Sequence, residues 1–183
     1  MKKKILFAML TAVLAVTAAS CGGNTPASTT KASEAPASTA DTATADTAAA
    51  EPASDAAAAD ITKAVLDEVP INSAFEKKKE SLPDYFDGLD VDAIEDFSYY
   101  ICASGAYPDE IAVFRFKTSD NADAAVKAVV DRLAYQKETY ETYTPDEMYK
   151  IDGAVIQQSG NWVYYLVTSD NEKAESIVKG FLG

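Results

Sequence analysis

Four side chains that could contact a ligand stand within one short segment of the sequence. They are Ser104, Tyr107, Asp109 and Glu110, in a stretch interrupted by glycine and proline. A tyrosine ring can stack on a flat ligand, and hydroxyl and carboxylate oxygens can bind ligand hydroxyls or a cation. Loops on a rigid scaffold are where binding residues concentrate. The sequence therefore predicts a candidate binding loop at residues 104–110.

The two neighbouring carboxylates could instead serve the fold. Adjacent residues on a strand point to opposite faces, so Asp109 and Glu110 together cannot clamp a sugar. Glycosidases need two carboxyl groups on either side of one bond, about 5–10 Å apart. Asp109 could complete a turn, and Glu110 could pair with a nearby cation. The sequence leaves open whether Glu110 faces a site or the core.

No catalytic set accompanies this loop. The chain has no histidine, which removes Ser-His, Cys-His and His-metal sites together. Ser104 lacks a lysine at Ser-Lys spacing, and no phosphate-binding glycine loop or dinucleotide fingerprint occurs. The acidic stretch 87–96 does not follow the EF-hand spacing and is expected to be a solvated face. We therefore predict no catalytic residue, no metal site and no cofactor.

The charge of the chain limits its partners. Sixteen basic residues stand against 29 acidic ones among 183, a formal charge of −13. A nucleic-acid binder that uses a basic surface is excluded, so no nucleic acid is expected as a partner. Apolar residues make up 48% of the chain, which is enough for a packed core.

Residues 1–20 have the pattern of a signal peptide. Three lysines precede an uncharged run, residues 5–19, that is too short to span a bilayer and leads into small residues. The sequence Ala18-Ala19-Ser20-Cys21 resembles a bacterial lipobox, which implies that Cys21 carries diacylglyceryl and palmitate after cleavage. Several acyl chains on one cysteine hold a protein on a membrane. We expect a lipid anchor on the outer face of the bacterial cytoplasmic membrane; the alternative is an ordinary secretory signal, with Cys21 incidental.

The composition changes after Cys21. Residues 22–59 are rich in Ala, Ser and Thr and contain no Val, Leu, Ile, Met or aromatic residue. Such a segment cannot bury enough apolar surface to offset the entropy of ordering, so 21–59 is predicted to be a lipidated cysteine and a disordered tether. Residues 60–183 then form a single domain. Cys102 falls in an apolar strand pattern and is expected to be buried.

Hydrophobic periodicity predicts the elements of this domain. A helix covers 61–69 and ends at Pro70, and a second short helix begins at Ser73, where Glu76 stands at capping-box spacing. Residues 82–89 form an irregular or one-turn helical segment. Strands are expected at 97–102, 110–117, 154–158 and 162–168, and helices at 120–140 and from 169 to about 181.

The order of these elements predicts an α+β fold, an N-terminal helix followed by ββα-ββα. The simplest packing is a four-stranded antiparallel sheet with the helices packed on one face. The sequence Thr-Ser-Asp-Asn occurs at 118–121 and again at 168–171, each time between a strand pair and a helix. Internal duplication and convergence on good capping residues both explain this recurrence.

Aromatic side chains concentrate on or beside the predicted strands. They are Tyr99, Tyr100, Tyr107, Trp162, Tyr164 and Tyr165. Since alternate residues of a strand face opposite sides, one set is expected to pack under the helices. The other set could fill gaps or lie on an open sheet face, where the rings would stack on a sugar or a peptide.

Four short motifs occur in a fixed order along residues 61–182. They are residues 104–114, the run from Arg132 through Gln136 to Glu147, residues 149–155 and residues 162–164. In order and spacing they resemble a family of bacterial lipoproteins, the domain-of-unknown-function family 4358. The resemblance implies a small α+β domain of bacteria with a Gram-positive envelope. It implies no activity.

Two classes of function remain open. The first is a non-catalytic binding or interaction module, anchored in the membrane through Cys21, whose partner is an unknown envelope ligand or protein. The second is a carboxylate-based hydrolase of an envelope glycan or peptide, with acids from separate segments such as Glu110 and Asp96. Two convergent carboxylates in a cleft, one of them desolvated, would favour the hydrolase, and a shallow open sheet or a dimer patch would favour the binding module.

Overall fold

A five-stranded antiparallel sheet organises residues 54–183, the part of the chain that the computed structural model describes. The strand order is β1-β2-β3-β5-β4. The strands are β1 (Ala74–Glu76), β2 (Ile94–Cys102), β3 (Glu110–Phe116), β4 (Val155–Ser159) and β5 (Trp162–Val167). The helices are α1 (Ala58–Glu68), α2 (Leu82–Tyr85), α3 (Ser119–Tyr143), α4 (Met148–Asp152) and α5 (Asn171–Leu182).

The predicted signal peptide, Cys21 and the tether as far as residue 53 lie outside the described residues. The last alanines before residue 60 already belong to the fold, because α1 begins at Ala58 and Ala58 is fully buried. Within residues 54–183, no helix combines the length and the apolar character that crossing a membrane requires.

The two predicted hairpins and the helix after each of them are confirmed, but the sheet has five strands and not four. The short helix predicted at Ser73 is wrong. Ser73 has a φ of 53°, which turns the chain so that Ala74–Glu76 runs antiparallel to β2. The edge of β2 offers unpaired backbone groups, and the Lys77 amide donates to the Tyr99 carbonyl at 2.8 Å. Pairing with this edge outweighs the local capping signal.

The prediction that the helices cover one face is also wrong, because helices cover both faces of the sheet. α1 and α5 pack against the face that carries Ile111 and Val113. α2, α3 and α4 pack against the opposite face, which carries Ala112 and Phe114. Every residue of β5 is buried, as expected for a strand that is covered on both sides.

This two-sided cover removes the open sheet face on which rings could stack. Tyr99, Trp162 and Tyr165 are fully buried, and Tyr164 is 3% exposed. Cys102 is buried, as predicted. The most exposed aromatic side chains among the described residues are Tyr135 and Tyr143 on α3, Tyr149 on α4 and Phe75 on the edge strand β1.

The repeated Thr-Ser-Asp-Asn sequence does not mark two equivalent units. β3 and β5 are antiparallel neighbours, so two equivalent ββα units would be related by a two-fold axis normal to the sheet. Such an axis would place α3 and α5 on the same face, whereas they cover opposite faces. The recurrence is therefore explained by convergence on residues that begin helices well.

Candidate functional site

The predicted binding loop, residues 104–110, covers most of the connection between β2 and β3, beside α3, and its last residue, Glu110, is the first residue of β3. Ser104 is exposed, its Oγ lies 3.2 Å from the Cys102 Sγ, and it accepts a hydrogen bond from the Ala106 amide at 3.3 Å. Gly105 supplies the positive φ that this turn needs, 65°. Tyr107 is half-buried against the cluster under α1 and α5. The hydroxyl and ring predicted to meet a ligand thus help to shape the turn.

Asp109 is buried in an ion pair. Its carboxylate is 4% exposed and accepts two hydrogen bonds from the Lys150 ammonium, at 3.0 and 2.8 Å. The Glu147 carboxylate lies 2.7 Å from the same ammonium, which also lies over the Tyr107 ring, 5.4 Å from its centroid. Burial by itself would lower the pKa of Lys150, but the hydrogen bonds of Asp109 and Glu147 raise it above its ordinary value.

Glu110 faces the core on the α3 side and binds Arg132. Both of its oxygens accept from the guanidinium, one from Nε at 3.2 Å and the other from a terminal nitrogen. Burial raises the pKa of Glu110, and Arg132 opposes part of this rise. The Tyr99 hydroxyl is buried close to this pair, and its interaction with Glu110 also opposes the rise. The question that the sequence left open is settled in favour of the interior.

Side chains of α3 form hydrogen bonds with the backbone of the β2–β3 loop. The Gln136 amide donates to the Pro108 carbonyl at 2.9 Å and accepts from the Tyr165 hydroxyl. The Tyr140 hydroxyl lies within hydrogen-bonding distance of two loop carbonyls, Gly105 at 3.1 Å and Tyr107 at 3.0 Å. Burial raises the pKa of Tyr140 to about 12, so this hydroxyl stays a donor at physiological pH. The loop is consequently fixed to α3 and α4 along its length.

The structure separates the two acids that a hydrolase would use. Glu110 lies on the α3 face of the sheet, whereas the Asp96 carboxylate accepts from the Ala58 amide at the start of α1, on the other face. Asp96 and Ile101, the partner of Glu110, are five positions apart on β2, a distance of about 17 Å along the strand. Carboxyl groups so placed cannot act on one glycosidic bond.

The cleft next to this ion pair was not anticipated from the sequence. It has a volume of about 590 Å³ and lies between α2 and α3, where Arg132 separates it from the buried Glu110. Three tyrosines line it, Tyr85, Tyr135 and Tyr140. We call it the tyrosine cleft; its charged lining residues are Lys77, Asp84, Asp87, Asp131 and Arg132.

Two cations lie against the rings of the tyrosine cleft. The Arg132 guanidinium lies 5.1 Å from the Tyr85 centroid and 5.4 Å from that of Tyr135. The Lys77 ammonium lies 4.5 Å from the Tyr85 centroid. Because Glu110 holds Arg132 and the rings contact both cations, the base of the cleft has a defined geometry before any ligand arrives.

The charges around the cleft differ in whether they already have partners. Asp131 forms an ion pair with Lys127 of the same helix. Lys77, Asp84 and Asp87 form no ion pair with any residue in the described range 54–183. Nor are three acidic or cysteine side chains of this range grouped so as to hold a metal ion. The free groups can therefore serve a ligand as one cationic donor and two anionic acceptors.

A partial signal for the cleft was present in the sequence. Asp131, Tyr135 and Thr139 recur every four residues and so share one face of α3. Polar side chains at this spacing indicate the solvent-facing side of a helix. Periodicity identified the exposed side of α3 but could not show that α2 lies across from it.

The chain matches a known protein family. Residues 67–168, more than half of the chain, match the family described as a domain of unknown function, DUF4358. The chain belongs to the DUF4358 family. No curated protein and no solved structure matches the chain.

Three of the four motifs on which the DUF4358 resemblance rested meet in space. The first supplies Asp109 and Glu110, the second supplies Arg132 and Gln136, and the third supplies Lys150. Together these side chains join the β2–β3 loop to α3 and α4. The same contacts fix Arg132, which lines the tyrosine cleft. These motifs therefore stabilise the base of the cleft.

Proposed function

We propose that this chain is a non-catalytic binding module, anchored through a lipid on Cys21 at the outer face of the cytoplasmic membrane, and that its ligand binds in the tyrosine cleft. The observation that carries the binding role is the cleft itself. Its volume of about 590 Å³ lies within the range of small-molecule sites, about 300–1,000 Å³. Its lining combines aromatic rings with a few polar groups, as such sites do.

The support beneath the cleft favours binding over chemistry. Glu110 is bound to Arg132 and Asp109 to Lys150, so neither buried carboxylate is free to exchange a proton with a ligand. A side chain held in place before binding loses less entropy when a ligand arrives. Ion pairs that fix Arg132 therefore improve affinity without supplying a catalytic group.

The anchoring role is supported by the sequence. Cys21 directly follows small residues and a short uncharged run, which is the pattern of a lipidated cysteine. A long tether of small and polar residues would let the domain reach ligands away from the membrane surface.

The cleft is tested by removing its most exposed ring. Tyr135 is 61% exposed, so Tyr135→Ala should leave the melting temperature nearly unchanged while weakening ligand binding by about tenfold or more. Saturation-transfer NMR on the full chain in detergent, with a panel of soluble saccharides, peptides and organic phosphates, measures this.

Tyr149→Ala is the matched control. Tyr149 is 57% exposed and does not line the cleft, so this variant should bind as the native chain does. Binding that survives Tyr135→Ala, or a native chain that binds no member of the panel, would overturn the proposed site.

A further inference from the structure

The charges that line the tyrosine cleft are nearly balanced. Lys77 and Arg132 stand against Asp84, Asp87 and Asp131. Because Asp131 is already paired with Lys127 and Arg132 with Glu110, the groups left without an ion-pair partner are Lys77, Asp84 and Asp87. An anionic ligand would approach two carboxylates and a cationic ligand would approach two cations. Since an unmatched charge is costly to desolvate, this lining disfavours a ligand with a net charge.

The free polar groups require a ligand that both donates and accepts hydrogen bonds. Lys77 can only donate, and ionised Asp84 and Asp87 can only accept. Tyr140 directs its hydroxyl to the loop carbonyls and so presents its ring to the cleft. A sugar hydroxyl donates and accepts at once, so neighbouring hydroxyls on one ring can satisfy a lysine and a carboxylate together.

The aromatic rings that line the cleft can contact the apolar part of such a ligand. Tyr135 is largely exposed, and the Arg132 guanidinium lies against the rings of both Tyr135 and Tyr85. Tyrosine rings offer large, rigid contact area at small conformational cost. The C–H faces of a pyranose ring are apolar and flat enough to lie against such a ring.

We infer that the ligand of the tyrosine cleft is a neutral saccharide of one or two rings. This inference rests on the proposed binding function and names its ligand class. A sugar ring lies against Tyr135, its hydroxyls donate to Asp84 and Asp87, and its oxygens accept from Lys77. The unpaired carboxylates disfavour the phosphate or uronate of an anionic sugar, and Lys77 and Arg132 disfavour the free amine of a cationic one.

The experiment compares neutral and charged probes on the full chain in detergent by isothermal titration calorimetry. The neutral probes are maltose, lactose and N,N′-diacetylchitobiose; the charged ones are glucose 6-phosphate, glucuronic acid, glucosamine and dialanine. At least one neutral disaccharide should bind, with an affinity that is unchanged between about 0.05 and 0.5 M NaCl. Tyr135→Ala and Asp84→Asn should each weaken binding by about tenfold, and Tyr149→Ala should not.

The outcomes separate the inference from the proposed function. If only charged or zwitterionic probes bind, and Tyr135→Ala abolishes that binding, the cleft is a binding site but the ligand class is wrong. If a neutral disaccharide binds equally well to Tyr135→Ala and Asp84→Asn, the sugar binds elsewhere and the inference fails. If no probe binds, both the inference and the proposed function fail.

Discussion

Glu110 illustrates how a single buried carboxylate can serve a surface site without reaching it. Its two oxygens bind Arg132, and the Arg132 guanidinium lies against Tyr85 and Tyr135 in the tyrosine cleft. Breaking a buried ion pair from one side leaves the other charge without compensation. Loss of Glu110 should therefore lower the free energy of unfolding directly and weaken ligand binding indirectly, through Arg132.

Truncating Glu110 tests this arrangement. Glu110→Ala should lower the free energy of unfolding by about 3–5 kcal/mol, because Arg132 then keeps its charge in a half-buried site without a carboxylate. Glu110→Gln should cost less, since its amide oxygen still accepts from the guanidinium. Urea unfolding at neutral pH measures both; equal stability of Glu110→Ala and the native chain would contradict the pair.

The pH dependence of Glu110→Gln has a definite sign. Burial raises the pKa of Glu110 above 4.5, so the folded protein binds this proton more tightly than the unfolded chain does. Ionisation of Glu110 therefore reduces the free energy of unfolding of the native chain as the pH rises from 4.5 through the raised pKa. Glutamine has no such loss, so the stability of Glu110→Gln relative to the native chain should increase over this window. If the stability of Glu110→Gln relative to the native chain falls as the pH rises, the pKa of Glu110 is lowered in the folded protein and not raised.

At the scale of elements, identical tetrapeptides begin two helices in different ways. In the first copy, Thr118 caps α3 and accepts from the Asn121 amide at 3.2 Å. In the second copy, Asp170 caps α5 and accepts from the Lys173 amide at 3.0 Å. Asn171, the last residue of that copy, donates to the Lys150 carbonyl at 2.8 Å, which ties the start of α5 to α4.

Matched substitutions of the two aspartates test this difference. Asp170→Ala removes an N-cap and should lower the free energy of unfolding by about 1 kcal/mol. Asp120→Ala removes an exposed first-turn carboxylate with no capping bond, so only its weak interaction with the helix dipole is lost, about 0.3 kcal/mol. Thermal or urea unfolding of the two variants compares them. Equal losses would mean that both copies cap their helices in the same way.

At the scale of the whole molecule, the proposed anchor and the folded domain are joined by a segment of entirely different composition. The domain needs no help from the membrane to cover its sheet, because helices cover both faces within residues 54–183. Acyl chains contribute about 0.8 kcal/mol for each buried CH₂ group, so several chains on one cysteine bind strongly. Membrane attachment should therefore depend on Cys21 alone.

Replacing each cysteine in turn tests the anchor. Cys21→Ala should move the protein from the membrane fraction to the soluble fraction, because no other residue is expected to carry acyl chains. Cys102→Ala is the control, since Cys102 is buried in the fold and should not affect attachment. Membrane fractionation followed by immunoblotting measures both variants. Retention of Cys21→Ala in the membrane fraction until detergent is added would contradict the lipid anchor.

The sequence by itself determined the local features of this protein. Short runs of apolar and aromatic residues bounded by turn residues predicted β2 to β5, because a strand covered by helices must carry apolar side chains. Capping residues predicted where α3 and α5 begin, and the apolar run around Cys102 predicted its burial. The four residue motifs predicted the DUF4358 family, because their order and spacing can be read from the sequence without knowing which residues are in contact.

Only the tertiary structure decided which distant segments meet. Glu110 and Arg132 are 22 residues apart and Asp109 and Lys150 are 41 apart, so no periodic pattern relates them. Apolar alternation shows that a strand has two faces, but it does not say whether one or both are covered. The tyrosine cleft exists because α2 lies across from one exposed stripe of α3. That juxtaposition depends on how the chain between them folds around the sheet, which local preferences do not specify.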